Sequence, residues 1–311
     1  MRIAILGATS EIAKDLILSF AAHSEHELTL YARRPAAVRQ WLNSIGIFDK
    51  YAVEDFTAFS EDSRHDAVVN FVGVGNPLQA AAMGAAIFDV TLQYDQMALD
   101  YLRKHRDCRY LFLSSGAAYG SCFDEPVSEA TPTNFTINHL KPQDWYGVAK
   151  LHAECRHRAL AHLPIIDMRV FNYFSHTQDM SARFLVTDIL RALLSNETFV
   201  TSNVNIVRDY MGAEDLYQMT SRILTAPAMN CAIDCYTKAP VGKMVMLAEL
   251  SQRYGLKFLI TTEQTGLNAT GIKTNYYSRN YSATQVGYSP TSTSLEVLLR
   301  EFDVLTGARL T

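Results

Sequence analysis

Four short apolar runs, Ile3-Ala-Ile-Leu6, Ala67-Val-Val-Asn-Phe-Val72, Tyr110-Leu-Phe-Leu113 and Ile165-Ile-Asp-Met-Arg-Val-Phe171, are set apart by polar stretches. Each is short and bounded by turn residues, so each predicts a buried strand. Leu28-Thr-Leu-Tyr31 supplies another, and Asn230-Cys-Ala-Ile-Asp-Cys-Tyr236 a later one. Between them apolar residues recur at helical spacing, as in Met97-Ala-Leu-Asp-Tyr-Leu102. Strands alternating with helices are most economically joined as βαβ units, which makes the sheet parallel. After Phe171 the alternation loosens, and Gly242, Gly266, Gly271, Gly287 and Pro290 fall irregularly.

The first run passes directly into Gly7-Ala-Thr-Ser-Glu-Ile-Ala13. A strand, a small-residue turn and a helix in that order suit a dinucleotide pyrophosphate, which needs close backbone approach and free N–H groups at a helix start. Gly7 holds the first glycine place of such a turn; Ser10 and Ala13 stand at the second and third, both small enough to keep it tight. Gly7, Thr9, Ser10, Glu11 and Ile12 are therefore expected to contact a cofactor.

A second pair of segments carries acid-base chemistry. In Leu111-Phe-Leu-Ser-Ser-Gly-Ala-Ala-Tyr-Gly120 a strand releases Ser114 and Ser115 at its carboxyl end, and in Tyr146-Gly-Val-Ala-Lys150 a tyrosine and a lysine lie one helical turn apart on one face. A free phenol titrates near pH 10, but a fixed ammonium beside it favours the phenolate and brings it into working range. Ser115 can hold the reacting oxygen while Tyr146 moves a proton and Lys150 tunes it.

These segments, followed by Arg169-Val-Phe-Asn172, Val207-Arg-Asp-Tyr210 and the closing stretch from Tyr276 to Pro290, resemble the extended short-chain dehydrogenase/reductases, specifically the epimerase/dehydratase branch acting on nucleotide sugars. The resemblance spans nearly the whole chain. It implies a Rossmann doubly wound parallel sheet with a smaller α/β substrate-binding lobe. The dinucleotide-binding domain would take residues 1–171 with a return at about 206–237, and the lobe 172–205 and 238–311. It also implies Ser115, Tyr146 and Lys150 as catalytic residues, Asp55 and Phe56 at the adenine edge, and Gly73 where a strand end passes the cofactor. Asn172 and Arg208 match positions that contact the substrate diphosphate. Asp55 is equally explained as a helix cap, Arg208 as an ion pair with Asp209 or Glu214, and Tyr119 either lines the sugar pocket or packs. The asparagine that often supports the lysine is replaced, with Gln93 a loosely aligned candidate.

The end of the second strand reads Leu30-Tyr-Ala-Arg-Arg-Pro35, without the acid that usually meets the ribose of NAD. Arg33 and Arg34 suit the 2'-phosphate of NADP, or else face water at a helix start. NADP(H) is thus the expected cofactor, with NAD(H) possible. The acid pair that family dehydratases place after the serine is replaced by Gly116 and Ala117. The expectation is an NADP-dependent reductase of a keto nucleotide-sugar, specifically a 4-keto-6-deoxyhexose 4-reductase in deoxysugar or surface-polysaccharide biosynthesis. The alternatives are an NAD-retaining epimerase and a non-catalytic dinucleotide sensor.

Composition narrows the setting. The 311 residues, 48% of them hydrophobic, can bury a large core, and a net charge of −4 without basic clusters argues against nucleic acid. No apolar stretch reaches the length of a membrane span. Five cysteines without scaffold spacing suit a reducing compartment, so a cytoplasmic enzyme, a homodimer by resemblance, is expected. Cys231 and Cys235 read as strand thiols rather than a redox pair. His152, Cys155 and His157 lack the spacing and partners of a site, so no metal is expected.

Overall fold

The computed structural model describes residues 1–74, 80, 82–262 and 273–307, so most of the small-residue stretch after Gly73, as well as Gly266 and Gly271, lies outside the described residues. Its strands are β1 Arg2–Leu6, β2 Glu27–Tyr31, β3 Ala52–Glu54, β4 Ala67–Asn70, β5 Arg109–Ser115, β6 Ile165–Val170, β7 Asn172–Tyr173, β8 Phe199–Ser202, β9 Val207–Arg208, β10 Tyr210–Met211, β11 Cys231–Asp234, β12 Val241–Gly242, β13 Phe258–Thr261 and β14 Asn275–Tyr276. The helices are α1 Glu11–His23, α2 Pro35–Ser44, α3 Ala86–Lys104, α4 Trp145–Ala159, α5 Leu185–Leu194, α6 Ala213–Thr225, α7 Lys243–Tyr254 and α8 Ser294–Thr306.

Seven parallel strands form one sheet in the order β11-β6-β5-β4-β1-β2-β3. The order reverses direction between β1 and β4, and such a switch point opens a crevice beyond the carboxyl ends of the strands. β1, β4 and β5 are almost fully buried because helices cover both faces, which is why they read as unbroken apolar runs. One core lies between the sheet and α1, α2 and α6; another lies on the face covered by α3 and α4. A third core joins α5, α7 and α8 to the short strands β8, β12 and β13.

The sequence places these elements well at their centres and less well at their ends. The apolar run ending at Val72 keeps strand geometry only to Asn70, where the side chain turns back: its amide donates to Tyr110 Oη at 2.8 Å and its carbonyl accepts from Val72 N at 2.8 Å. The largely apolar stretch Val204-Asn-Ile-Val207 runs up to Arg208, yet β9 contains only Val207 and Arg208, between β12 and β14. Of the 206–237 segment, only β11 rejoins the large sheet.

Candidate active site

Strand alternation separates the two serines at the end of β5. Ser114 Oγ donates to Glu154 Oε1 at 2.5 Å, whereas Ser115 Oγ accepts from Ala117 N at 3.2 Å and lies 3.3 Å from Tyr276 Oη. Helix α4 comes hard against this turn because residue 147 is glycine: a Cβ there would lie 2.5 Å from Ala117 O and 2.9 Å from the Phe135 ring. That close approach sets Tyr146 beside Ser115 and Lys150 beneath them. Lys150 is buried; its Nζ donates to Leu113 O at 2.6 Å, lies 4.3 Å from the Phe112 ring centroid and 5.9 Å from that of Tyr146.

Burial pushes the Lys150 ammonium down to about 8, against the pull of Asp95, Asp167 and Glu154. Burial also raises the Tyr146 phenol, against the lowering expected from Lys150, whose Nζ stays 5.9 Å from the ring centroid; the Ser115 hydroxyl is what acts in the opposite direction. The three sequence-derived residues thus meet in an arrangement able to move a proton to or from an oxygen bound between Ser115 and Tyr146. Gln93 does not support the lysine, because it faces solvent. The negative charge behind Lys150 comes instead from acids on α3, α4 and β6.

Those acids belong to a buried ionic array. Fully enclosed His157, on α4, donates Nδ1–H to Asp167 Oδ1 at 2.6 Å and Nε2–H to Asp95 Oδ1 at 2.7 Å. Arg156 and Arg158 take the other oxygens of the two carboxylates. Burial alone would lower the His157 pKa, but Asp167 and Asp95 carry it up to about 9. Alongside, Glu154 pairs with Arg169, which also reaches Asp234. Tyr119, the candidate for the sugar pocket, donates to Asp234 at 2.9 Å and lies 4.5 Å beneath the Arg169 guanidinium, so its hydroxyl is engaged in this array rather than with Ser115.

The residues expected at the dinucleotide lie in or just past the turns that follow β1, β2, β3 and β4. Gly7 has φ +82°, and a Cβ there would lie 3.0 Å from Val72 N, so only glycine keeps this turn open between β1 and β4. Ser10 caps α1 by position, yet its side chain makes no cap bond, leaving the helix-start donors available to an anion. Thr9 is exposed, Ile12 packs on the core beneath, and Glu11 is drawn aside to accept from Asp179 N at 2.6 Å. Arg33 and Arg34 are exposed between β2 and α2. Asp55 uses Oδ1 to accept from Thr57 N at 3.0 Å, and the Phe56 ring packs 4.5 Å from Tyr94. Gly73 is exposed and abuts Lys150: a Cβ there would lie 3.3 Å from Nζ. This combination of a glycine-gated turn, free helix-start donors and paired guanidinium groups fits a dinucleotide.

Asn172 donates Nδ2–H to Asp209 O at 3.2 Å, tying β7 to the segment that carries Arg208. Neither carboxylate weighed as an Arg208 partner takes that role: Asp209 receives Thr237 and Ser294, and Glu214 reaches Arg300. Arg208 instead donates to its neighbouring carbonyls Val207 O and Thr274 O, and its guanidinium lies 5.9 Å from the Tyr276 ring centroid. Burial holds its pKa below the usual arginine range. Asp215 sits inside the first turn of α6 and accepts from Thr291 N and Oγ1, both at 2.7 Å. Cys231 and Cys235 are free, with Cys235 Sγ 3.4 Å from Met219 Sδ. Two neighbours of the site, Tyr276 and Lys273, were missed: nothing in their sequence surroundings connects them to a serine about 160 residues earlier.

The profile of the NAD dependent epimerase/dehydratase family matches residues 3–232. This chain belongs to that family. A curated relative, UDP-glucose 4-epimerase 4 of Oryza sativa subsp. japonica, is 30% identical over 177 residues, which is 54% of this chain and 40% of the rice protein. The family member thus spans well under half the length of that relative. Among solved structures, UDP-glucuronic acid 4-epimerase from Bacillus cereus with UDP-glucuronic acid and NAD superposes with TM-score 0.75 at 16% identity, covering 99% of this chain and 100% of the other. UDP-glucose 4-epimerase from Bifidobacterium longum with NAD+ and UDP gives 0.76 at 17% identity, with 99% of each chain covered. UDP-N-acetylglucosamine 4-epimerase from Methanobrevibacter ruminantium M1 with UDP-N-acetylmuramic acid gives 0.79 at 13% identity, again with 99% of each covered. At these identities the structures establish the shared Rossmann-like fold. Among the described residues, no helix is long and apolar enough to cross a membrane.

Proposed function

We propose that this family member is an NADP-preferring reductase of a keto nucleotide-sugar, with a nucleoside-diphosphate 4-keto-6-deoxyhexose as the preferred substrate class. The observation that carries this reading is the convergence of Ser115, Tyr146 and Lys150, linked through Tyr276 to Arg208, a half-buried guanidinium without a carboxylate partner among the described residues. The nicotinamide supplies the hydride to the carbonyl carbon when bound. Tyr146 then gives its phenolic proton to the oxygen, and Ser115 holds that oxygen by a hydrogen bond that strengthens as negative charge develops. The Lys150 ammonium lowers the cost of leaving Tyr146 as phenolate until solvent reprotonates it. Dehydration finds no support: a Cβ at Gly116 would fall 2.4 Å from the Phe171 ring, so the position that bears an acid in dehydratases has no room for a side chain. Turnover of NADPH with candidate 4-keto nucleotide-sugars tests the reading.

The direction of catalysis rests on the arginine pair. A reductase must exchange its spent cofactor, whereas an epimerase returns the hydride to the same substrate and gains from retaining NAD. Replacing Arg33 and Arg34 together with Ala is expected to weaken NADPH at least about tenfold more than NADH, since each charge-assisted hydrogen bond contributes roughly 1.5–3 kcal/mol. Fluorescence titration with both cofactors measures it. The 4-epimerase names of the relatives favour a second reading, an NAD-retaining epimerase. Tightly held NAD in the purified protein, with equal weakening of both cofactors in the double variant, would decide for it.

The diphosphate has its own test. Arg208→Ala is expected to raise the substrate KM at least about tenfold with little change in cofactor KM, because a fixed guanidinium to phosphate is a charge-assisted contact. The penalty should shrink as salt rises and screens the lost attraction. Efficient reduction of free sugars or simple ketones, with Arg208→Ala neutral, would remove nucleotide sugars from consideration.

A further inference from the structure

Three lysines are buried, and two have oxygen acceptors. Lys150 donates to Leu113 O, and Lys243 to Ser202 O at 2.7 Å and Thr201 Oγ1 at 3.2 Å. Lys273, only 8% exposed, has no hydrogen-bond acceptor and no ion pair among the described residues. Its Nζ lies between aromatic rings, 4.4 Å from the centroid of Tyr276 and 5.0 Å from that of Phe123. Ring faces offset part of the cost of stripping water from an ammonium, but they do not replace oxygen acceptors. Among the described residues, the charges that act on it are Arg208, which repels it, and Asp144, which attracts it from beyond ion-pair distance while accepting from Lys141 N. Burial, reinforced by Arg208, pushes the Lys273 ammonium down to about 8.

Its position relates this unpartnered cation to the chemistry. The Tyr276 ring carries Lys273 and Arg208 against it, and its hydroxyl lies 3.3 Å from Ser115 Oγ. Two cations without carboxylate partners among the described residues therefore flank one side chain whose far end touches the reacting site. Buried charges in proteins are ordinarily paired, so an unpaired one beside a binding site is explained by an anion that arrives with the ligand.

We propose that Lys273 is an anion-binding residue of the substrate site, receiving an acidic oxygen of the substrate alongside the group that Arg208 meets. This rests on the nucleotide-sugar reading above. The oxygen comes from either of two sources, a phosphate of the diphosphate or a carboxylate carried by the sugar, and the chemistry at Lys273 is the same for both. The second source would replace the 6-deoxyhexose, whose C6 is a methyl, by a sugar acid within the nucleotide-sugar reading.

Calorimetric titration of the wild-type, Lys273→Met and Lys273→Arg proteins, each saturated with cofactor, with UDP, UDP-glucose and UDP-glucuronate tests the inference. Lys273→Met is expected to bind the affected probe at least about tenfold more weakly, and Lys273→Arg to retain most of the affinity. Cofactor affinity should be unchanged. The melting temperature of the unliganded Lys273→Met protein should stay level or rise, because the substitution removes a buried charge that has no partner among the described residues. A structural lysine would give a lower melting temperature. Equal weakening of all three probes identifies a phosphate oxygen; weakening confined to UDP-glucuronate identifies a sugar carboxylate. Either supports the proposal. Unchanged binding of all three in Lys273→Met, with the wild type binding normally, overturns it alone. Failure of the wild type to bind any of them, or dTDP and dTDP-glucose in the same titration, overturns the nucleotide-sugar reading, and this inference with it.

Discussion

Tyr146→Phe is expected to lower kcat by about 10²- to 10⁴-fold while leaving cofactor affinity within about twofold of wild type, because general acid catalysis contributes that much and only one hydroxyl is removed. The loss should fall on kcat rather than KM, since the proton moves only in the transition state. Steady-state rates with the preferred keto substrate, together with a cofactor titration, measure both. Activity within threefold of wild type would transfer the proton donor's role elsewhere, with Tyr276, hydrogen-bonded to the same serine, the next residue to test.

His157→Leu is expected to destabilise the protein by about 3–5 kcal/mol near pH 6, because it leaves Asp95 and Asp167 facing each other in the interior without the cation they share. The same histidine sets a pH dependence in the wild type. Its folded pKa is raised to about 9, above the ordinary value of 6.5, so its contribution is fully present below pH 6.5 and is lost as pH rises through about 9. Urea unfolding at pH 6 and pH 9 should show a wild-type decline of a few kcal/mol that is absent from His157→Leu. Equal stability of the two proteins at pH 6 would mean that the array is held by Arg156 and Arg158 alone.

This array was the least legible part of the chain. In the sequence His157 stands out only as a rejected metal ligand beside His152 and Cys155, because its partners lie 62 residues before it and 10 after it. Sequence spacing reports what shares a helix face; it carries nothing about which acids the sheet brings beneath that face. Tyr119 shows the same limit: the sequence leaves it either lining the sugar pocket or packing, and only the fold shows its hydroxyl engaged by Asp234 on the edge strand β11. The sheet's central strands, by contrast, were readable because burial on both faces demands continuous apolar residues, whatever lies around them.

By itself the sequence determined the parallel sheet, the glycine turn after β1 and the conjunction of Ser115 with Tyr146 and Lys150. Each depends on local rules: strand length, the left-handed φ of Gly7 and the 3.6-residue helical turn. The tertiary structure alone decided how these residues are charged and what stands around them. It put acids behind Lys150, left Arg208 without a carboxylate partner among the described residues, and carried Lys273 and Tyr276 to the reacting site from the far end of the chain. Electrostatic and desolvation energies depend on distance in space and on exclusion of water, and neither is a property of neighbouring positions in a sequence.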